Sequence, residues 1–175
     1  MQRKIVLAVM IIVTFLLQST LFQWLSIASS VPNLLLILTV SVGFMRGKKE
    51  GIMVGFFCGL ITDLFFGNLF GFSALVYMYI GYLNGFFCKV FYDDDIKVPM
   101  LLVAVSDIAY GVTVYVLQFL LRGRLQVFSY VRHVMFPELI YTVVLTMIFY
   151  RIFFKINRIL VANEMEGQKS LWLRK

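Results

Sequence analysis

The chain has 175 residues, of which 61% are hydrophobic and 14% are charged, and its formal net charge is +7. Soluble domains contain about 45–50% apolar and about 25% charged residues, so a water-soluble globular fold is excluded. A nucleic-acid-binding protein is not indicated either, because the basic residues separate apolar runs instead of forming one patch. The composition therefore predicts an integral membrane protein.

Six apolar segments follow one another along the chain, separated by charges and by Pro or Gly. A helix needs about 20 apolar residues to span the hydrocarbon core, with a lower limit near 17. We predict an all-α membrane protein of about six transmembrane helices in one compact bundle over residues 1–156, followed by a cytoplasmic polar tail over 157–175. The predicted helices cover residues 5–24, 32–45, 51–66, 72–90, 98–121 and 137–156.

The first segment has one alternative interpretation. Arg3 and Lys4 precede an apolar stretch, and a faint cleavage site at 26–28 would suit a secretory signal peptide. The apolar stretch is about 20 residues long, which favours a retained first helix.

The basic residues predict the orientation in the membrane. With the N-terminus in the cytoplasm, Arg122, Arg124 and Arg132 are the only Lys or Arg residues outside. The positive-inside rule therefore places both termini in the cytoplasm. The inside set is Arg3, Lys4, Arg46, Lys48, Lys49, Lys89, Lys97, Arg151, Lys155, Arg158, Lys169, Arg174 and Lys175.

Small residues recur every fourth position in the third segment and again in the fourth. Residues four apart form one ridge of a helix, and glycines on that ridge let another helix approach closely. Packing within the bundle and docking of a partner helix both remain open. The partner-interface candidates are Gly55, Gly59, Asp63 and Gly67, and the structural candidates with the same spacing are Gly51, Gly81 and Gly85.

Two carboxylates, Asp63 and Asp107, fall inside apolar segments. Such a group costs about 2.5–3.5 kcal/mol at membrane depth, so each is expected to face protein or a wet cavity. Three roles are open for them: a structural hydrogen-bond hub, a contact to a ligand, and a proton or ion relay. Tyr77, Asn84 and Tyr110 are candidate neutral partners.

No set of residues suits catalysis or metal binding. His133 is the single histidine, and Cys58 and Cys88 lack the spacing of a zinc site. Nucleotide-binding and nucleophile-elbow motifs are missing from the sequence. We therefore predict a protein that is not an enzyme and has no cofactor and no metal.

An ordered set of motifs runs from the second to the fourth segment. Pro32-Asn33-Leu34-Leu35-Leu36 comes first, then a basic-Glu-Gly turn over 46–51, then G-x-x-x-G-L-x-x-D-L over 55–64 and a glycine-marked hairpin ending at 85. Residues 18–85 resemble the family of the rod shape-determining protein MreD in the order and spacing of these motifs. Pro32, Asn33, Asn84 and Asp107 complete the predicted structural or buried polar positions.

The resemblance implies a non-catalytic scaffold in the bacterial inner membrane. It would belong to the cell-wall elongation machinery that synthesises peptidoglycan and maintains cell shape, and it would act with MreC. RodA, a penicillin-binding transpeptidase and MreB are further implied partners.

The resemblance also implies a fold similar to the substrate-binding subunits of energy-coupling-factor vitamin transporters. Such a vitamin-binding subunit is the alternative function. Against it, the first helix has no Ala-x-x-x-Ala face, and the predicted outer loops have no run of polar side chains to line a pocket.

Overall fold

A computed structural model of the chain describes residues 2–24, 32–66, 70–89, 97–116 and 131–172. All regular structure in these ranges is helical, which confirms the predicted all-α class. A 3-10 turn at Phe87–Lys89 follows the fourth helix, and a π-helical turn at Val131–Met135 precedes the last. The main helices are α1 (Gln2–Trp24), α2 (Leu34–Arg46), α3 (Lys48–Phe66), α4 (Phe72–Asn84), α5 (Lys97–Tyr115) and α6 (Phe136–Trp172).

Three stretches among the described residues are long and apolar enough to cross a membrane: Arg3–Thr20, Lys97–Tyr115 and Phe136–Ala162. They lie in α1, α5 and α6. α2 is also apolar, but its 13 residues extend about 20 Å, less than the hydrocarbon core of about 30 Å. The number of six membrane crossings therefore stays a prediction.

Two helix ends differ from the sequence-based boundaries. The pattern predicts an end of the fourth helix at residue 90, whereas α4 ends at Asn84 and the chain turns at Gly85. The pattern also predicts an end of the last helix at residue 156, whereas α6 continues to Trp172. Polar composition indicates where a helix leaves the lipid, but it does not indicate where the helix ends. The segment after residue 156 contains good helix formers and no proline, so the helix can continue beyond the apolar stretch.

α2 lies at the centre of the fold. Every residue from Leu34 to Phe44 is buried, and α2 contacts each of the other five main helices. Its sequence is apolar on all sides, which is typical of a helix that is enclosed by others. The other helices also pack against one another: α1 contacts α3, α3 contacts α4, α4 contacts α5, and α5 contacts α6.

Candidate functional site

The glycine ridge of α3 packs against α4 of the same chain. A Cβ atom built on Gly51, Gly55 or Gly59 would lie within 3.0 Å of backbone atoms of α4, closer than real Cβ contacts. The opposing helix has the same property, because a Cβ on Gly81 would meet the backbone of Gly51. The two backbones are therefore in direct contact, and only glycine fits at these positions.

Asp63 continues the ridge and caps α4. Its Oδ1 accepts a hydrogen bond from the backbone N–H of Ser73 (3.0 Å), and its Oδ2 accepts one from Ala74 (3.1 Å). Gly71 precedes α4 with a φ of +89°, a left-handed conformation that favours glycine. A carboxylate at this place also interacts favourably with the positive end of the α4 dipole.

Three of the four residues of the predicted partner interface thus face α4 of the same chain. Gly55, Gly59 and Asp63 all contact α4, and Gly67 lies outside the described residues. A partner helix would have to displace α4 to reach this ridge. The physical reason is chain connectivity: α4 begins only six positions after α3 ends, so it is the nearest helix along the chain able to cover the ridge.

A second group of polar side chains satisfies the buried start of α2. Asn33 Oδ1 accepts hydrogen bonds from the Leu36 N–H (3.2 Å) and from the Tyr77 hydroxyl (2.6 Å). Gln18 of α1 accepts one from the Leu35 N–H (3.0 Å). The first N–H groups of a helix lack intrahelical partners, so these contacts remove the cost of burying them. Gln18 is the first residue of the stretch that resembles the family, but the sequence alone does not predict this contact with α2.

Asn84 at the other end of α4 is also paired within the chain. Its Nδ2 donates to the Ile80 carbonyl and to the Ser106 hydroxyl of α5, both at 2.9 Å. The hydrogen bond to Ser106 connects α4 and α5, which otherwise make few contacts.

Asp107 is 4% exposed and faces α6. Thr142 of α6 lies next to its carboxyl group, and its Oδ1 has no hydrogen-bond partner among the described residues. Glu138 lies one turn before Thr142 on α6, and its backbone carbonyl accepts a hydrogen bond from the Thr142 hydroxyl at 2.8 Å. The sequence predicted a buried role for Asp107 but gave no sign of its partners on α6.

A charged cluster closes the end of the fold near the N-terminus. Arg46 Nη1 lies 3.5 Å from Glu50 Oε2, and Arg3 also pairs with Glu50. Arg46 Nε donates to Asn157 Oδ1. The cluster connects α1, α2, α3 and α6. In the sequence, Arg3 and Arg46 indicate topology, Arg46 and Glu50 also belong to the basic-Glu-Gly turn, and Asn157 is the first residue of the predicted polar tail, so their pairing was not predicted.

In the described part of the protein, two apolar grooves lie between helices. The α4/α5 groove has a volume of about 730 Å³ and is lined by Ile80, Leu83, Asn84, Phe87, Lys97, Val98, Leu101, Leu102, Val105, Ser106 and Ala109. The α1/α6 groove has a volume of about 340 Å³ and is lined by Ile5, Val6, Val9, Met10, Val13, Thr14, Leu17, Phe149, Ile152, Phe153 and Ile156.

The described residues contain no cluster of three or more His, Cys, Asp or Glu side chains that could hold a metal ion. Comparison with known families gives a match to the model described as rod shape-determining protein MreD, over residues 1–160. No curated protein and no solved structure matches the chain. The family match extends well beyond the motifs at 18–85 and covers nearly all of the helices described above.

Proposed function

Because the chain belongs to the family of the rod shape-determining protein MreD, we propose that it is a non-catalytic scaffold of the bacterial cell-wall elongation machinery. In this proposal it acts with MreC, within an assembly that also contains RodA, a penicillin-binding transpeptidase and MreB. The main support for this proposal is the family match over residues 1–160. The family and the long apolar helices indicate a membrane protein. We place it in the inner membrane with both termini in the cytoplasm.

The distribution of polar groups supports a scaffold. Asn33, Asp63 and Asn84 bind backbone or side-chain groups of the same chain, so these groups serve the fold. The surface left for a partner is mostly apolar. In lipid no hydrophobic force holds helices together, so a partner must gain from close packing and a few polar contacts.

We place a membrane helix of MreC in the α4/α5 groove. The lining of this groove runs along α5 from Lys97 to Ala109, about 18 Å at 1.5 Å per residue. Asn84 and Ser106 in its lining are buried and hydrogen-bonded to each other, so an apolar helix would gain mainly from close packing along this groove. The α1/α6 groove has about half the volume, and Thr14 is the one polar residue of its lining, so we expect lipid there.

Site-directed photo-cross-linking in cells tests the placement. A photoreactive residue at Val105, which is 57% exposed, should form a covalent adduct with MreC. Val9 in the α1/α6 groove is 51% exposed and serves as the matched control, for which we expect no adduct.

The outcomes separate the docking site from the function. An adduct from Val9 and none from Val105 would move the docking site to the α1/α6 groove. If MreC also failed to co-purify with the unmodified protein, and loss of the gene left cells rod-shaped, the scaffold proposal itself would be wrong.

A further inference from the structure

Three basic side chains follow one another on the surface of α6. Arg151, Lys155 and Arg158 are all exposed. Their spacings of four and three residues place them on one face of the helix, over about 10 Å along its axis. We call these three residues the basic stripe.

The basic stripe has no acidic neighbour on its own helix. No Asp or Glu occurs between Glu138 and Glu164, so every position three or four residues from a member of the stripe is uncharged or basic. Among the described residues, the salt bridges at this end of the fold join Arg3 and Arg46 to Glu50 and leave the stripe out. Like charges three or four residues apart on a helix repel one another, so an anion from outside the chain would stabilise the stripe.

Apolar side chains share this face of α6 with the basic ones. Ile148, Ile152 and Ile159 are 56%, 47% and 55% exposed. The apolar stretch Phe136–Ala162 is about 40 Å long, whereas the hydrocarbon core is about 30 Å thick. The part of α6 with the basic stripe therefore lies where hydrocarbon gives way to lipid headgroups. A ligand that matches this face has both a negative charge and an apolar part.

The α1/α6 groove begins beside the basic stripe. Ile152 and Ile156 line the groove, and Lys155 lies between them in the sequence, within one turn of each. The start of α1 is level with this part of α6, because Leu7 and Asn157 line the same small cavity. An apolar channel and a set of unmatched cations are thus next to each other at one end of the fold.

The dimensions of the groove suit a lipid acyl chain. Its lining runs along α1 from Ile5 to Leu17, about 18 Å, and one leaflet of the hydrocarbon core is about 15 Å deep. Ile5, Val9 and Val13 of the lining are 62%, 51% and 48% exposed, so the groove is open to the surrounding lipid along its length.

We propose that the α1/α6 groove and the basic stripe together form a binding site for one anionic phospholipid. An acyl chain lies in the groove, and the phosphate is held by Lys155 and Arg158. A guanidinium group can bind two phosphate oxygens at once, and an ammonium group supplies a further charge. Basic pockets between membrane helices recognise anionic lipid headgroups in the same way. The site does not include the α4/α5 groove, so it is separate from the place proposed for MreC.

Photo-cross-linking of the purified full chain in phosphatidylcholine nanodiscs tests the proposal. The probe is a small fraction of phosphatidylglycerol with a diazirine in one acyl chain, and mass spectrometry of peptides locates the adducts. Adducts should concentrate on the lining of the α1/α6 groove, and phosphatidylcholine with the same diazirine should give few there. Lys155→Gln combined with Arg158→Gln should lower the phosphatidylglycerol adducts in the groove by about fivefold or more, since one basic residue near a lipid surface contributes a factor of about five.

The control removes the same charge elsewhere. Lys49→Gln combined with Lys97→Gln changes two exposed lysines outside the groove lining and should leave the groove adducts unchanged. Lys155→Arg combined with Arg158→Lys keeps both charges and should retain the adducts. An equal loss in the control would show attraction to the whole surface and would overturn the proposal.

The wild-type comparison of the two lipids keeps the test decisive if a variant does not fold. Equal labelling of the groove by phosphatidylglycerol and phosphatidylcholine would overturn the proposal, and so would an MreC adduct from Val9 in cells. Because the chain is cross-linked in nanodiscs without MreC, failure of the lipid site leaves the scaffold proposal intact.

Discussion

The two sides of α4 make opposite kinds of contact with their neighbours. Towards α3 the backbones meet, because a Cβ at Gly55 or Gly59 would overlap the backbone of α4. Towards α5 the helices stand apart around a groove of about 730 Å³, where large side chains such as Leu83 and Val105 occupy the lining. We call the face of α4 that contacts α3 the sealed side, and the face that borders the α4/α5 groove the open side. The size of the residue at each turn decides between the two, since small residues let backbones approach and large ones hold them apart.

The polar groups follow the same division. Asp63, on the sealed side, accepts two backbone hydrogen bonds across the α3/α4 contact. Asn84 and Ser106, on the open side, share a single hydrogen bond at the floor of the groove. The sealed side therefore supports the fold, and the open side leaves area for another helix.

The largest expected effect is on the sealed side. Gly59→Ala introduces a Cβ that overlaps the backbone of Ser73 and Ala74, which cannot move away as a side chain can. We expect a loss of about 1–3 kcal/mol or more in the free energy of unfolding, as for overpacked cores. Thermal unfolding of the purified protein in detergent, followed by the fraction that stays monodisperse, measures the loss.

Gly111→Ala is the matched control for Gly59→Ala. Its Cβ would lie 3.2 Å or more from the flexible side chain of Met135, which can adjust. The gain of about 1 kcal/mol in helix propensity should then make the change neutral or stabilising. Equal destabilisation by the two variants would show that the α3/α4 contact is not especially tight.

An intermediate effect is expected at the end of the sealed side. Asp63→Ala leaves the N–H groups of Ser73 and Ala74 without their acceptors, which costs about 1–3 kcal/mol for buried groups. Asp63→Asn keeps one acceptor oxygen and should lose less. Urea or thermal unfolding of both variants gives the order, and an Asn variant as unstable as the Ala variant would argue that the negative charge itself is needed.

The smallest expected effect is on the open side. Val105→Phe adds volume to the α4/α5 groove, where Val105 is 57% exposed, so it should change the free energy of unfolding by no more than about 0.5 kcal/mol. The same variant should reduce co-purification of MreC if the groove holds a membrane helix of MreC. A strong loss of stability would show that α4 and α5 close against each other, and the contrast between the two sides would disappear.

Several features follow from the sequence because they depend on neighbouring residues. The helical class, the three long apolar stretches and the family can be predicted from the length of apolar runs and the spacing of motifs. The glycine spacing of Gly51, Gly55 and Gly59 likewise indicates that some helix approaches closely, since residues four apart share one ridge.

The identity of each neighbour was decided only by the tertiary structure. The sequence left open whether the ridge meets α4 or a partner, and it gave no sign that α2 is the central helix or that Thr142 lies beside Asp107. Arg46 and Asn157 are 111 positions apart and still form a hydrogen bond. Periodicity reports which face of a helix is apolar or small, but the element that covers that face depends on the packing of distant segments. That packing also decides whether a groove such as α4/α5 stays open.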